Sequence, residues 1–170
     1  PSGEINRSIV DGTADLGVNC EKDLYPDTVV HKKLGTYQAM LVASPEADSR
    51  LLDFVTPHQR KPVSLICNEP EGYYQMDMDR YLEARDIRLE PYMKLQSIEA
   101  VKRCVMSNLG LAVVPTYSVE EELKNGSLIP VKTELDEKLY HSVYVYHKNK
   151  WLSPQMELAL KLLKQTVGVK

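Results

Sequence analysis

Gln96-Ser97-Ile98-Glu99-Ala100-Val101-Lys102, continued by Val105 and then by Asn108-Leu109-Gly110-Leu111-Ala112-Val113-Val114-Pro115, decides the fold class. Ile98, Val101, Val105 and Leu109 recur at offsets of three and four, the spacing of one apolar helix face. Ser97 stands where an N-cap hydroxyl belongs. Gly110 to Val114 is then an all-apolar strand closed by Pro115. A helix that runs straight into a buried strand is the repeating step of an α/β fold.

The same alternation continues on both sides. Upstream, Pro62 to Cys67 reads as a buried strand, Asn68-Glu69-Pro70-Glu71-Gly72 as a loop full of breakers, and Tyr73 to Arg85 as a helix with Met78, Tyr81 and Leu82 on its apolar side. Ile87 to Leu95 is extended and interrupted by Pro91. Downstream, Ser118 with Glu121 has the spacing of a capping box, and Asn125-Gly126 is a C-terminal stop. Leu128 to Val131 and Tyr140 to Tyr146 are predicted strands. Ser153-Pro154 caps a last helix, Gln155 to Val167, with Met156, Leu160, Leu163 and Val167 on its inner stripe. Nearer the start come a helix over Glu4 to Val10, a strand over Ala14 to Val18, strands at Val29-Val30 and Tyr37 to Ala43, and a helical patch from Leu51 to Val55.

Two of these strands, Tyr37 to Ala43 and Tyr140 to Tyr146, bracket the central block. If they pair, the chain leaves a first lobe, builds a second and returns. The predicted division is residues 1–38 with 148–170 in the first lobe and 39–147, hinge strands included, in the second. A cleft between two such lobes is a common ligand site.

Composition narrows the function. The 170 residues carry 21 Lys plus Arg against 24 Asp plus Glu, a net charge of -3, which argues against a phosphate-gripping surface. Hydrophobic residues at 43% exclude wholesale disorder. Three dispersed cysteines, Cys20, Cys67 and Cys104, fit a reducing cytoplasm better than a disulfide scaffold. No apolar run reaches the ~18 residues of a membrane span, so no membrane partner is expected.

Catalytic signatures are missing: there is no phosphate-binding glycine loop, nucleophile elbow, zinc-binding helix or paired-cysteine motif. Four histidines, His31, His58, His141 and His147, never fall at ligand spacing with one another. No metal, cofactor or catalytic residue is predicted, and the chain reads as a binding module rather than an enzyme. Candidate contacts lie instead at strand-to-helix junctions, where open α/β sheets bind ligands. The loop Asn68 to Gly72 with Tyr73 and Tyr74 is the first, although Glu69 and Glu71 oppose a simple anion. Ser97 is the second. Asn19-Cys20-Glu21, leaving an early strand, is the third. Ten tyrosines against one phenylalanine supply amphipathic rings, of which Tyr73, Tyr74 and Tyr117 lie at such junctions.

Taken together, the Ser97 to Pro115 segment resembles the effector-binding domain of LysR-type transcriptional regulators. Ile9-Val10-Asp11-Gly12-Thr13-Ala14-Asp15-Leu16-Gly17-Val18 is similar to that family's helix-glycine-Asp-strand step. Glu122-Leu123 with Gly126-Ser127-Leu128, and Lys148-Asn149-Lys150-Trp151-Leu152-Ser153-Pro154, follow in family order. The resemblance implies a type 2 periplasmic-binding-protein fold: two α/β lobes joined by two crossing strands, with a small effector in the cleft. Carried over position by position, it assigns effector contacts to Asn19, Cys20, Asn68, Glu69, Gly72, Tyr73 and Ser97. It also implies an organic acid, an amino-acid derivative or an inorganic anion as effector. The implied assembly is a homo-oligomer, dimer or tetramer, contacting through the Tyr73 to Arg85 helix, with DNA bound only through a domain absent from this chain. Because family domains open with elements ahead of the glycine-Asp step, the resemblance predicts a first lobe truncated at its N-terminus, with an unpaired sheet edge that is covered by another chain or disordered. The competing expectations are a solute-binding protein for transport and an enzyme on a related two-lobed fold.

Overall fold

From the N-terminus the elements are α1 (Ser2–Val10), β1 (Gly17–Cys20), β2 (Val29–Ala43), β3 (Gln59–Cys67), α2 (Tyr73–Ala84), β4 (Ile87–Lys94), α3 (Ile98–Met106), β5 (Ala112–Pro115), α4 (Glu120–Asn125), β6 (Ile129–Val131), β7 (Leu139–His147) and α5 (Pro154–Val167). This is a computed structural model that describes residues 2–20, 25–70, 72–95 and 97–167. Glu21, Glu71, Gln96 and the side chain of Val167, all named above, lie outside the described residues. The chain forms two compact units, residues 1–37 with 140–170 and residues 38–139.

In the first unit the strand order is β1-β7-β2, with β1 antiparallel to β7 and Gly17 opposite Val145. Ile9 from α1 packs with Val29, Val143 and Val145, and Leu160 from α5 with Leu34 and Tyr144. The strand after the glycine step begins at Gly17 rather than Ala14. Gly12, at φ 73, turns the chain, and the Ala14 amide is held by the Ser8 carbonyl at 3.0 Å, outside any ladder. Ser153 caps α5 as expected, its Oγ accepting the Met156 N–H at 3.3 Å.

In the second unit β2 lies between β5 and β6, antiparallel to both. β3 and β4 pair in parallel. Pro91 does not end β4. The register slips between Ser64↔Glu90 and Ile66↔Met93, so the residue without an N–H falls where no regular ladder bond is needed. Val101 and Val105 of α3 pack with Val42, Ile66, Ala112 and Val114 in the core.

Three local expectations are corrected. Val29-Val30 and Tyr37 to Ala43 belong to one continuous strand, β2, because the polar stretch between them still pairs with β7 and buries Leu34. Ser118 caps nothing: its hydroxyl donates to the Pro115 carbonyl at 2.6 Å, and Val119 takes the N-cap position of α4 without a side-chain bond. Leu109 leaves the apolar face of α3. Asn108 adopts φ 56, the Leu109 amide bonds back to the Cys104 carbonyl at 3.1 Å, and the leucine is left 56% exposed.

Candidate functional site

Two loops leave the second unit from neighbouring strand ends. Register places Cys67, the last residue of β3, opposite Lys94 of β4, and the Leu95 N–H bonds to the Cys67 carbonyl at 2.9 Å. One loop therefore runs from Asn68 to α2, and the other reaches α3 at Ser97. Leu111, the residue before β5, forms an isolated parallel bridge with Leu65 of β3, so the chain runs on through β5 toward Pro115 and Thr116 in the direction of β3.

Gly72 is the N-cap of α2, extended at φ -69 and ψ 142, with its carbonyl accepting the Met76 N–H at 2.9 Å. A Cβ there would stand 3.0 Å from the Glu69 carbonyl oxygen, so the loop closes tightly on a glycine. The Tyr74 hydroxyl donates to Asn68 Oδ1 at 3.4 Å, and its ring is buried, whereas Tyr73 is half-buried. Tyr117 is 62% exposed.

Ser97 caps α3. Its Oγ accepts the Ala100 N–H at 3.2 Å, and its carbonyl accepts that of Val101 at 3.1 Å. The hydroxyl proton is left to donate outward from an exposed position at the positive end of a helix.

Four residues near these loops did not figure among the candidates. Gln75 is only 1% exposed, and its Nε2 donates to Asp79 Oδ1 at 3.1 Å and to the Tyr92 hydroxyl oxygen at 3.3 Å. Tyr92 in turn donates to the Asp79 carboxylate. Burial and that anionic acceptor push the Tyr92 phenol well above its ordinary range. Gln75 Oε1 has no hydrogen-bond partner, and neither does Thr116 Oγ1, although both atoms are buried. The Gln75–Asp79 spacing of four on a helix was the readable signal for the first pair. Nothing local marks Thr116 beyond its place after a buried strand.

In the first unit, Asn19 and Cys20 occupy β1. Asn19 is buried, with its Nδ2 donating to Asn6 Oδ1 at 3.1 Å and its Oδ1 accepting the Cys20 N–H at 2.9 Å. Cys20 Sγ lies 2.8 Å from the Tyr37 hydroxyl, and Tyr25 donates to the Cys20 carbonyl at 3.3 Å. All three cysteines are free thiols. Among the described residues, no group of three or more His, Cys, Asp or Glu side chains is placed to hold a metal ion. Among the described residues, no helix is long and apolar enough to cross a membrane. A cavity of about 270 Å³ in the second unit lies at the far end of α3, lined by Leu51, Val63, Asn108 and Leu109 among others, away from Ser97.

The family model for the LysR substrate binding domain matches residues 1–168. The chain belongs to the LysR family. It is 29% identical over 162 residues to the HTH-type transcriptional regulator YfiE of Escherichia coli K12, covering 95% of this chain and 54% of that protein. The HTH-type transcriptional activator CmpR of Synechocystis is 28% identical over 89 residues, 52% of this chain and 29% of that protein. This LysR domain thus spans about half the length of the curated relative it matches along nearly all of its own. Its fold is that of solved LysR regulatory domains. The HypT regulatory domain from Salmonella typhimurium superposes with a TM-score of 0.77 at 16% identity, covering 99% of this chain and 79% of that one. The CcmR regulatory domain of Synechocystis, in complex with 2-PG, superposes with a TM-score of 0.76 at 13% identity, covering 99% and 80%. The mixed α/β architecture is therefore of the type 2 periplasmic-binding-protein kind.

Proposed function

We propose that this chain is the sensing half of a transcriptional regulator: it binds a small effector at the carboxyl edge of the second unit, and a separate domain of the full protein binds DNA. One observation carries the reading. The loop into α2 and the loop to the Ser97 hydroxyl at the start of α3 leave paired strand ends, Cys67 opposite Lys94, on a single edge. Asn68, Glu69, Gly72, Tyr73 and Ser97 are its contact residues there. The relatives are transcriptional regulators, which favours sensing over transport and over catalysis. A cytoplasmic location and a homo-oligomer contacting through α2 complete the proposal. To act as a switch, the effector must prefer one state of the protein by about 1–3 kcal/mol.

The test is a thermal-shift screen of the full-length protein against small carboxylates, amino acids and inorganic anions, repeated on Ser97→Ala. A compound that raises the melting temperature of the parent and much less that of the variant supports the reading. A screen in which nothing shifts either protein refutes it.

A further inference from the structure

We infer that Tyr92 is a positioning residue for the effector site: through Gln75 and Asp79 it fixes how α2 stands against β4, and so the spacing of the loop that enters α2 and the loop that leaves β4. This rests on the effector reading above and adds the residues that hold its two loops in place.

The three side chains close a ring of hydrogen bonds. Gln75 Nε2 donates to Asp79 Oδ1 at 3.1 Å and to the Tyr92 hydroxyl oxygen at 3.3 Å, and the Tyr92 hydroxyl donates to the same carboxylate oxygen. A carboxylate only accepts, so the protons run round the ring in one sense alone. Gln75 and Asp79 are one helical turn apart, about 6 Å along the axis. One hydroxyl on β4 that meets both resists sliding as well as rotation of α2, because hydrogen bonds weaken steeply once they bend.

The place of the ring shows what it holds. Tyr74 aside, the apolar residues that bury α2 are Met78, Tyr81 and Leu82, in its second half. Gln75 lies on the same inner stripe, three residues before Met78, where helical spacing asks for another apolar side chain. It is also only three residues past the Gly72 N-cap. Tyr92 comes two residues before Lys94, the strand end opposite Cys67, and five before Ser97. Both loops of the effector reading therefore start beside the ring.

A polar ring at this point is not the firmest way to dock a helix. It leaves Gln75 Oε1 buried without a partner, and apolar groups of the same shape would hold α2 on the sheet at least as well. What hydrogen bonds add is direction. Apolar contact tolerates sliding, whereas the groups of a binding site must be held within about 0.5 Å.

The experiment uses full-length protein and two variants. Tyr92→Phe opens the ring and keeps the aromatic packing; Gln75→Leu with Tyr92→Phe replaces the ring by apolar contact. Amide hydrogen exchange is read by mass spectrometry with electron-transfer fragmentation, with no ligand added. The Gly72, Met76, Leu95 and Val101 amides, whose bonds close the two loops, should exchange roughly tenfold faster in both variants, while the core strands β2 and β5 exchange as in the parent. Melting temperature separates docking from positioning: the double variant should recover the stability that Tyr92→Phe loses, but not the slow exchange of the loops. Parent-like exchange at those amides in Tyr92→Phe, or its return in the double variant, overturns the proposal and leaves the effector reading standing. Any compound of the carboxylate, amino-acid and anion panel that stabilises the parent is then titrated by calorimetry, and both variants should bind it about tenfold more weakly. Equal affinity in parent and variants also overturns the positioning role. Silence from the whole panel takes down the effector reading, and the role assigned to Tyr92 with it.

Discussion

Lys102 Nζ stands 2.6 Å from the Glu122 carboxylate and 2.9 Å from that of Glu99, which anchors a buried lysine of α3 to the first turn of α4. Glu122 is itself largely shielded from water. Removing the lysine alone leaves that carboxylate uncompensated. Lys102→Met is expected to lower unfolding stability by about 2 kcal/mol in urea titrations, and the double variant Lys102→Met/Glu122→Gln to regain part of it. A double variant as damaged as the sum of its parts would show that the two side chains do not act as a pair.

The same pair sets a pH window. Burial pulls the Lys102 ammonium down, but its bonds to Glu122 and Glu99 outweigh this, and it titrates above an ordinary lysine. The Glu122 carboxyl, held by the Lys102 ammonium, titrates below the ordinary range. Their contribution is complete between the unfolded values of about 4.3 for glutamate and about 10.4 for lysine. It falls away as acid drops through the depressed Glu122 pKa and as alkali rises through the elevated Lys102 pKa. Urea midpoints measured from acid to alkali should converge between parent and double variant at both extremes.

Gly110 is irreplaceable for a reason of space. A Cβ would sit 2.6 Å from the Ser64 carbonyl oxygen and 3.1 Å from the Ile66 side chain, and a backbone atom in a core strand cannot yield. Gly110→Ala should cost about 2–3 kcal/mol. Gly12→Ala, at φ 73 with open space around it, should cost about 1 kcal/mol through backbone strain alone. Chemical denaturation of the two variants side by side checks the order.

Burial pushes the Cys67 thiol up, whereas Cys20 and Cys104 are only half-buried. In native buffer a disulfide reagent should modify the latter two first, with Cys67 reacting at the rate of unfolding. Peptide mapping of the labelled protein at early times decides between this and uniform reactivity.

Much of this architecture was readable because it is local. α3 with its Ser97 cap, α5 behind Ser153, and the loop that ends at Gly72 all follow from spacing and breakers within a few residues. What was hidden depends on partners far along the chain. Lys32 to Thr36 look like a gap between strands until β7 is laid beside them, 107 residues away at the Ser142–Gly35 contact. Leu109 belongs to the α3 stripe by count, but a single left-handed Asn108 swings it out. Thr116 carries no motif, and Gln75 only its helical spacing to Asp79. The packed structure leaves each with a buried oxygen that has no hydrogen-bond partner.

The division of the chain has a consequence for synthesis. Residues 38–139 are continuous, whereas the other unit needs both 1–37 and 140–170. Translation proceeds from the N-terminus, at roughly 5–20 residues per second, and domains fold as units during it. On the ribosome the inserted body is complete while its host still lacks β7 and α5, so the hydrophobic side of α1 and the Val29 end of β2 stay uncovered for seconds. In that interval, rather than in the finished molecule, this protein is most exposed to aggregation and to capture by chaperones.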